Sequence, residues 1–284
     1  MAISVIEEIK SIDALPSPTG VALEIMRLAD DPDTTVDDIA KTLETDPATV
    51  GRLLRIVNSP LAGLSRRIAS VPQAIALLGL DTVRNVALGF AIMNQKPRQC
   101  AEFDHERFCS ESIARAVAAR HVAAKARCFA ADEAFGFGLL CQVGRLALAA
   151  VFSERYARVL RAADHGDSRD LARVEWDAFE TEHNELGADL LTDWNLPTFY
   201  CDAVRYQDTY DDADIEPDSR TYKLARLLHF TGPVSTLMLC RSPVREEMSH
   251  VIEEATTFGI EESSVEDMFD SIRAEWEHFC AILA

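Results

Sequence analysis

Apolar and polar side chains alternate along this chain with the period of an α-helix. In the stretch 36–43 the apolar residues recur at spacings of three and four, and the stretch 50–57 repeats the same spacing. Residues so spaced share one face of a helix. A strand would alternate apolar and polar residues one by one, and no such alternation competes here. The pattern therefore predicts an all-α protein.

Capping signals mark where the first helices begin and end. Thr35 followed by Asp38 resembles a capping box, and Asp46 before a proline supplies an N-cap acid. Gly79 is suited to end a helix because glycine tolerates the backbone found there. These signals predict four short antiparallel helices with tight turns, after a short amphipathic segment at Ile3–Ile12.

Longer segments predict the helices of the rest of the chain. The predicted helices are Asp104–Ala126, Phe135–Phe152, Ser153–Ala163, Ser168–Trp194, Pro197–Gln207 and Ser219–Thr231, with two more after Pro243. Gly232-Pro233 is expected to end the helix that begins at Ser219. A polar connection at 95–101 separates two helical lobes. We therefore expect an N-terminal lobe at 1–95, a second lobe at 96–230 and a C-terminal helical extension at 231–284 packed on it.

Composition and charge narrow the class of protein. Hydrophobic residues make up 48% and charged residues 26% of the 284 positions, as in ordinary globular proteins. A net charge of -19 disfavours non-specific nucleic-acid binding and repels anionic membranes. No apolar run is expected to reach the roughly 20 residues of a membrane span, and the acidic N-terminus is unlike a secretory signal. Seven cysteines without C-x-x-C spacing indicate reduced thiols. These features predict a cytoplasmic protein.

The stretch 138–146, Gly-Leu-Leu-Cys-Gln-Val-Gly-Arg-Leu, carries a resemblance to a known family. It is similar to the metal-binding helix of HD-domain phosphohydrolases, G-L-L-H-D-[IV]-G-[KR]-L, with Cys-Gln in place of His-Asp. The chain resembles the HDOD domains, the HD-related output domains, over about residues 12 to 230. Further matching motifs are Asp46-Pro47-Ala48, Leu53-Leu54-Arg55, Asn58-Ser59, Leu78-Gly79-Leu80, Gly187-Ala188 and Trp194-Asn195-Leu196-Pro197.

The resemblance implies a degenerate site. Catalytic HD domains hold divalent metals with a first histidine, a His-Asp pair and further histidines. The first position falls on Glu111, the pair on Cys141 and Gln142, and the next histidine is retained as His183. The last two positions, Tyr206 and Gln207, also lack histidine. One remaining ligand is too few for a hydrolytic metal centre, so we expect no catalytic residue, bound metal or cofactor.

The roles of these residues can be read in more than one way. His183 is expected to be hydrogen-bonded inside the degenerate pocket, rather than to serve as a ligand. Cys141 is expected to be a small buried hydrophobe, the rivals being a nucleophile, a redox sensor, or a soft-metal ligand with Glu111 and His183. The six carried-over positions could also line a pocket that binds a small molecule or nucleotide without cleaving it.

A DNA-binding alternative comes from the first lobe. The predicted helices 36–45 and 46–58 could form a helix-turn-helix in which Arg52, Arg55 and Asn58 face DNA, with Arg66 and Arg67 on phosphates. The same helices carry four acids, Asp37, Asp38, Glu44 and Asp46. Because the whole chain is also acidic, a solvated bundle face is the favoured interpretation.

The family resemblance implies a role in bacterial signalling. HDOD domains are all-helical, and they are associated with two-component and cyclic-dinucleotide pathways. The expected function is a non-enzymatic output module that acts through protein–protein contact. Its expected partner is a signalling protein, with a receiver domain or a sensor kinase as candidates. The sequence does not specify the oligomeric state.

Overall fold

A computed structural model describes residues 16–97, 100–163, 168–240 and 245–283. The helices in these ranges are α1 (Gly20–Ala29), α2 (Val36–Glu44), α3 (Pro47–Val57), α4 (Val71–Leu78), α5 (Leu80–Met93), α6 (His105–Ala126), α7 (Ala131–Leu140), α8 (Val143–Val151), α9 (Ser153–Ala162), α10 (Ser168–Phe179), α11 (His183–Asp193), α12 (Thr198–Arg205), α13 (Arg220–Leu239), α14 (Arg245–Thr257) and α15 (Val265–Leu283). No strand occurs in the described ranges, so the predicted all-α class is confirmed. The segment Ile3–Ile12 lies outside them.

The predicted helix starts in the first lobe are confirmed by their hydrogen bonds. The Thr35 hydroxyl accepts the Asp38 amide at 3.3 Å, and the Asp38 carboxylate accepts the Thr35 amide at 3.1 Å. The Asp46 carboxylate accepts the amides of Ala48 and Thr49 at the start of α3. Each acid thus satisfies amides that a helix leaves unpaired at its first turn.

The long helix α6 is the axis of the second lobe. It packs against α7, α13 and α15, while α5 of the first lobe packs against α7. Most of its alanines are buried, and a Cβ at Gly138 would lie 2.8 Å from the Ala116 Cα. Small residues on both helices therefore bring the backbones of α6 and α7 into contact. One continuous apolar core includes residues from α1 through α15.

The predicted helix Phe135–Phe152 is wrong in one respect, because it breaks at Cys141 and Gln142. α7 ends at Leu140, and Gln142 leaves the helix at φ -109 and ψ 15 before α8 begins. The new direction of α8 brings Gly144 against the backbone of His183, where a Cβ would overlap the carbonyl oxygen. Tertiary packing of α8 on α11 thus overrides the continuous apolar pattern.

The predicted helix Ser168–Trp194 also divides in two. α10 ends at Phe179, Glu180 adopts φ 56, and α11 begins at His183. The carboxylate of Glu175 accepts the His183 amide at 2.9 Å. A buried acid on α10 therefore pairs the first amide of α11, a long-range cap that side-chain periodicity does not reveal.

Gly232-Pro233 does not end the helix that begins near Ser219, contrary to the prediction. α13 continues to Leu239 with Pro233 inside it. Proline removes one backbone hydrogen bond, but the flanking Thr231 and Val234 are fully buried. Burial on α6 offsets the lost bond and holds the helix together. The predicted boundary between 230 and 231 falls inside this helix.

One stretch is more apolar than the sequence analysis expected. Ala131–Val151, which combines α7 and α8, has a mean hydropathy of 1.6 and is long and apolar enough to cross a membrane. The helices α4 and α5 would qualify only as one span bent by 112°. Of the apolar window in Ala131–Val151, 83% is buried inside the fold, as is typical of a core helix.

Candidate functional site

An ion pair occupies the first of the carried-over positions. The Glu111 carboxylate on α6 lies 3.1 Å from Nη1 of Arg145 on α8 and 3.6 Å from Nε of Arg115. Burial would raise the pKa of Glu111, but the two guanidinium groups outweigh it and hold that pKa below its usual value. The acid is therefore ionised, and its positive partners come from the protein itself.

Cys141 and Gln142 lie at the turn between α7 and α8. Cys141 is buried, and its Sγ donates to the Gly138 carbonyl at 3.2 Å. Burial raises the pKa of the thiol to about 11. Since the thiolate is the nucleophile and the metal ligand, this neutral thiol favours the interpretation of Cys141 as a small buried residue. The Gln142 amide nitrogen is buried without a hydrogen-bond partner among the described residues.

His183 belongs to a buried row of three side chains, which we call the His183 cluster: Tyr156, Glu175 and His183. The imidazole Nδ1 lies 2.6 Å from the Glu175 carboxylate, which also accepts the Tyr156 hydroxyl at 2.9 Å. Burial lowers the pKa of His183, but the Glu175 carboxylate outweighs it and the pKa is raised. The cluster therefore fixes the ring within the core.

The structure adds two acids that the sequence analysis missed. Donor atoms of Glu175, Glu182 and His183 all lie within 4.8 Å of one another, a grouping that could hold a metal ion. However, the fully buried Glu175 carboxylate already accepts bonds from Tyr156 and from two nitrogens of His183. A cation here would have to replace these bonds. Burial also raises the pKa of Glu182 to about 7, which reduces its value as an anionic ligand.

No sequence signal singled out Glu175. It stands beside apolar residues of α10 and eight positions before His183, in a segment predicted as one uninterrupted helix. Only the turn at Glu180 folds α10 back so that the carboxylate meets the α11 amide. The family's metal-ligand set therefore does not fit these residues: position 111 is ion-paired, position 141 is a neutral thiol, and the imidazole is bonded to a carboxylate.

Gln207, two residues after the end of α12, reaches the same turn. Its amide nitrogen donates to the Cys141 carbonyl at 3.2 Å and to the Asn184 side-chain oxygen at 2.6 Å. Asn184 in turn donates to Asp208 at 2.9 Å. Tyr206 is half-buried at the end of α12 and takes part in none of these bonds. The structure thus brings Gln207 into contact with Cys141 and with Asn184, the neighbour of His183 in the chain. Tyr206 lies outside this group.

Two concave surfaces of the described chain lie away from these residues. One, of about 400 Å³, runs between α9 and α10, and the other, of about 620 Å³, lies near Ile252 and Glu262. Neither is lined by any of the six residues expected to form a ligand pocket. Gln207 donates to the Cys141 carbonyl, Glu111 pairs with Arg145 and His183 bonds to Glu175, so packed polar contacts occupy these four positions.

Two residues of the DNA-binding alternative are engaged inside the first lobe. The Asn58 amide donates to the carbonyls of Leu54 and Ile68 and accepts the Ile68 amide, all within 2.7 Å. The Arg52 guanidinium lies 4.8 Å from the centre of the Phe90 ring. Asn58 therefore closes the loop after α3, which favours the interpretation as a bundle face.

Comparison with known proteins gives the context for this site. The sequence model of the HDOD domain matches residues 15–210. A curated, uncharacterized protein from Treponema pallidum is 26% identical over 211 residues, or 72% of this chain, and the chain spans 39% of the length of that protein.

Solved structures agree with this match. The MmoQ response regulator from Methylococcus capsulatus is 35% identical, with 88% of this chain and 95% of that one covered at a TM-score of 0.53. An HDOD domain protein of unknown function from Geobacter sulfurreducens is 22% identical, with 94% and 96% covered at a TM-score of 0.65.

A protein from Shewanella amazonensis that carries the provisional name phosphohydrolase shares the fold. It is 20% identical, with 99% of this chain and 98% of that one covered at a TM-score of 0.74. The predicted HD-like helical bundle is thereby confirmed, and the family match supports a signalling-related role. With its model matched over residues 15–210, the chain belongs to the HDOD domain family.

Proposed function

We propose that this chain is a non-enzymatic signal-transduction output module that acts through protein–protein contact. Its family and its likeness to MmoQ, which is named a response regulator, support a place in a bacterial two-component or cyclic-dinucleotide pathway. The partner is a signalling protein, for which a receiver domain or a sensor kinase is a candidate. The seven cysteines are free thiols, which supports a cytoplasmic location.

One observation carries the proposal: the pairing of Glu111 with Arg145. In catalytic relatives of this fold the equivalent region binds a cation with histidine and aspartate. Here the protein supplies the positive charge through Arg145, whose Nη1 lies 3.1 Å from the Glu111 carboxylate. The position of Arg145 is basic in the catalytic motif as well, so what differs here is its partner, Glu111, which stands at the first histidine position. A cation that bound Glu111 would have to break this partly buried ion pair, which is unfavourable.

The neighbouring residues support the same conclusion. The Cys141 thiol is neutral at physiological pH because burial raises its pKa to about 11, and a neutral thiol is a poor metal ligand. A catalytic zinc site typically holds its water with three protein ligands around an open position. Gln142 offers an amide where a hard cation would require a carboxylate. The side chains at the former ligand positions therefore stabilise the fold rather than activate water.

A hydrolase assay tests the proposal. The purified chain is incubated with phosphomonoester and cyclic-dinucleotide substrates in the presence of Mn²⁺, Mg²⁺, Fe²⁺ or Ni²⁺, and we expect no metal-dependent turnover. His183→Asn is the matched variant, because its amide keeps a donor near the Nδ1 position and removes the second ring nitrogen. Turnover that this variant abolishes, while its thermal unfolding resembles that of the wild type, would overturn the proposal.

A further inference from the structure

A groove runs along the surface between α9 and α10, away from the polar cluster. It has a volume of about 400 Å³. Its apolar floor is formed by Val159, Ala162, Val174 and Ala178. On each helix these residues stand three or four positions apart and therefore share a face. The groove is shallow and open to solvent.

Guanidinium groups line the α9 side of the groove. Arg155 is held in place, since its Nη2 donates to the Ala178 carbonyl and its guanidinium lies 4.7 Å from the centre of the Phe179 ring. Arg158 is exposed one turn further on. Among the residues that the structure describes, neither guanidinium forms an ion pair with a carboxylate. Asp177 on α10 is the one acid in the lining.

Arg155 and Arg158 thus place two positive charges beside the groove on a chain of net charge -19. The nearby exposed cations Arg161 and Arg173 each have an acidic neighbour, Glu102 at 2.9 Å and Asp170 at 4.0 Å. An apolar floor beside two unpaired guanidinium groups complements a segment that carries both apolar and acidic side chains. Arginine is enriched at protein interfaces for such pairing.

We propose that this groove is the docking site for an acidic amphipathic helix of a partner protein. The inference rests on the proposed function and specifies the partner's chemistry. Apolar side chains of the helix would cover Ala162, which is exposed, and Val174, which is half-buried. Its carboxylates would pair with Arg155 and Arg158, the arrangement of a helix in a groove. A second copy of this chain is a poorer occupant, because two chains of net charge -19 repel each other.

A synthetic helix tests the groove on the complete chain. The probe is a fluorescein-labelled peptide of about 18 residues, roughly five helical turns, with leucines at helical spacing on one face and glutamates on the other. We expect saturable binding in fluorescence anisotropy that weakens with added salt. The same peptide with lysine in place of each glutamate should not bind.

Charge reversal locates the binding site. Arg158→Glu should weaken binding at least about tenfold, because it sets like charges against each other in the interface. The matched control is Arg173→Glu, which makes the same change on α10 at a side chain that is 75% exposed and outside the lining. We expect the control to bind within about twofold of the wild type, as a distant surface charge should.

Several results would overturn the assignment. These are absence of binding by the acidic peptide, equal losses in the Arg158 and Arg173 variants, and preference for the lysine peptide. Loss on Trp176→Ala with Arg158→Glu unaffected would place the contact on the other flank of α10, where Trp176 is 55% exposed. Self-association that Arg158→Glu abolishes would make a second copy the occupant.

The two proposals fail separately. Metal-dependent turnover in the hydrolase assay would overturn the non-enzymatic function even if the peptide bound. If the chain shows no turnover and the peptide does not bind, the assignment of the groove as a docking site is wrong, while the non-enzymatic function still holds.

Discussion

The Arg120 junction and the His183 cluster are groups of charged side chains that connect different parts of the described chain. The Arg120 junction consists of Arg120, His121, Asp132 and Glu275. Arg120 on α6 lies 2.5 Å from Asp132 on α7 and 2.7 Å from Glu275 on α15, and it donates to the Ile56 carbonyl at 2.8 Å. It therefore joins the first lobe, the second lobe and the C-terminal helix at one side chain.

The His183 cluster is more local, since it joins the consecutive helices α9, α10 and α11. Both groups are internally paired and, apart from the half-buried Asp132, buried. Both contain a histidine bonded to a carboxylate, at 2.6 or 2.7 Å. The His183 cluster contains a metal-ligand position of the catalytic relatives, and the Arg120 junction contains none. Buried titratable pairs of the same geometry can thus be structural, so the pairing alone is weak evidence for a catalytic site.

The largest expected effect comes from removing the charge at the junction. Arg120→Met leaves Asp132 and Glu275 without their shared cation and frees the Ile56 carbonyl. Truncating one partner of a buried ion pair typically costs about 3–5 kcal/mol of unfolding free energy. Urea unfolding followed by circular dichroism measures the change.

The control for this variant is an exposed pair. Arg161→Met breaks the contact with Glu102, in which the two side chains are 60% and 38% exposed, and should change stability by less than about 1 kcal/mol. If Arg120→Met cost no more than this control, the junction would not hold the three parts of the chain together.

The next effect tests how closely α8 and α11 pack. Gly144→Ala would place a Cβ on the His183 carbonyl oxygen and 2.8 Å from the Gly187 nitrogen. Because both are backbone atoms, the helices would have to separate, at a cost of about 3 kcal/mol by the usual range for overpacking.

Gly51→Ala in α3 is the matched substitution. No atom lies within 4 Å of its added Cβ, so alanine should gain roughly 0.5–1 kcal/mol from helix propensity. If α8 and α11 pack this closely, thermal unfolding should give a lower Tm for Gly144→Ala and a higher Tm for Gly51→Ala than for the wild type. Equal shifts would mean that the close approach at Gly144 does not limit packing.

The ion pair that carries the proposed function should have a smaller effect. Arg145→Met leaves Glu111 with Arg115 at 3.6 Å, so part of its charge remains compensated and we expect a loss of about 1–3 kcal/mol. Glu111→Gln combined with Arg145→Met should recover part of that loss, because no carboxylate is then left unpaired. A double-mutant cycle in urea measures the coupling, and strict additivity would contradict a direct pairing.

Local signals in the sequence predicted much of the fold. The caps at Thr35 and Asp46 and the long helix from Asp104 depend on residues within one or two turns, and the structure confirms them. The missed features depend on distant contacts. The turn at Cys141 follows from the packing of Gly144 on His183. The split after Phe179 depends on the carboxylate of Glu175, which accepts the amide of His183 eight residues further on.

The Arg120 junction was beyond sequence reasoning for the same reason. Arg120 and Glu275 are 155 positions apart, and neither stands in a motif. At the candidate site, family positions located the residues but not their partners. Arg145 occupies a basic position of the motif, yet its pairing with Glu111 becomes visible only when α6 and α8 are adjacent.

The smallest predicted effect is a difference in pH dependence between the stability contributed by the Arg120 junction and that contributed by the His183 cluster. Burial would raise the pKa of Glu275, but His121 and Arg120 outweigh it and the pKa is below its usual value of 4.5. Its stabilising contribution is therefore present above pH 4.5 and is lost as pH falls through the lowered pKa. The His183 cluster has the opposite dependence. Burial raises the pKa of the adjacent Glu182 to about 7, and the carboxylate of Glu175 raises that of His183 above 6.5 despite its burial.

For both Glu182 and His183 the contribution is complete at low pH, below their unfolded values of 4.5 and 6.5, and is lost as pH rises through the folded values. Glutamine resembles a protonated carboxyl, so Glu182→Gln should match the wild type in thermal unfolding near pH 5 and exceed it by a few degrees near pH 8, the scale of about 1 kcal/mol. Glu275→Gln should instead be destabilised at pH 8 and approach the wild type in acid. A Glu182→Gln difference that stays constant across this range would mean that Glu182 remains ionised throughout, and the contrast between the two buried groups would then rest on geometry alone.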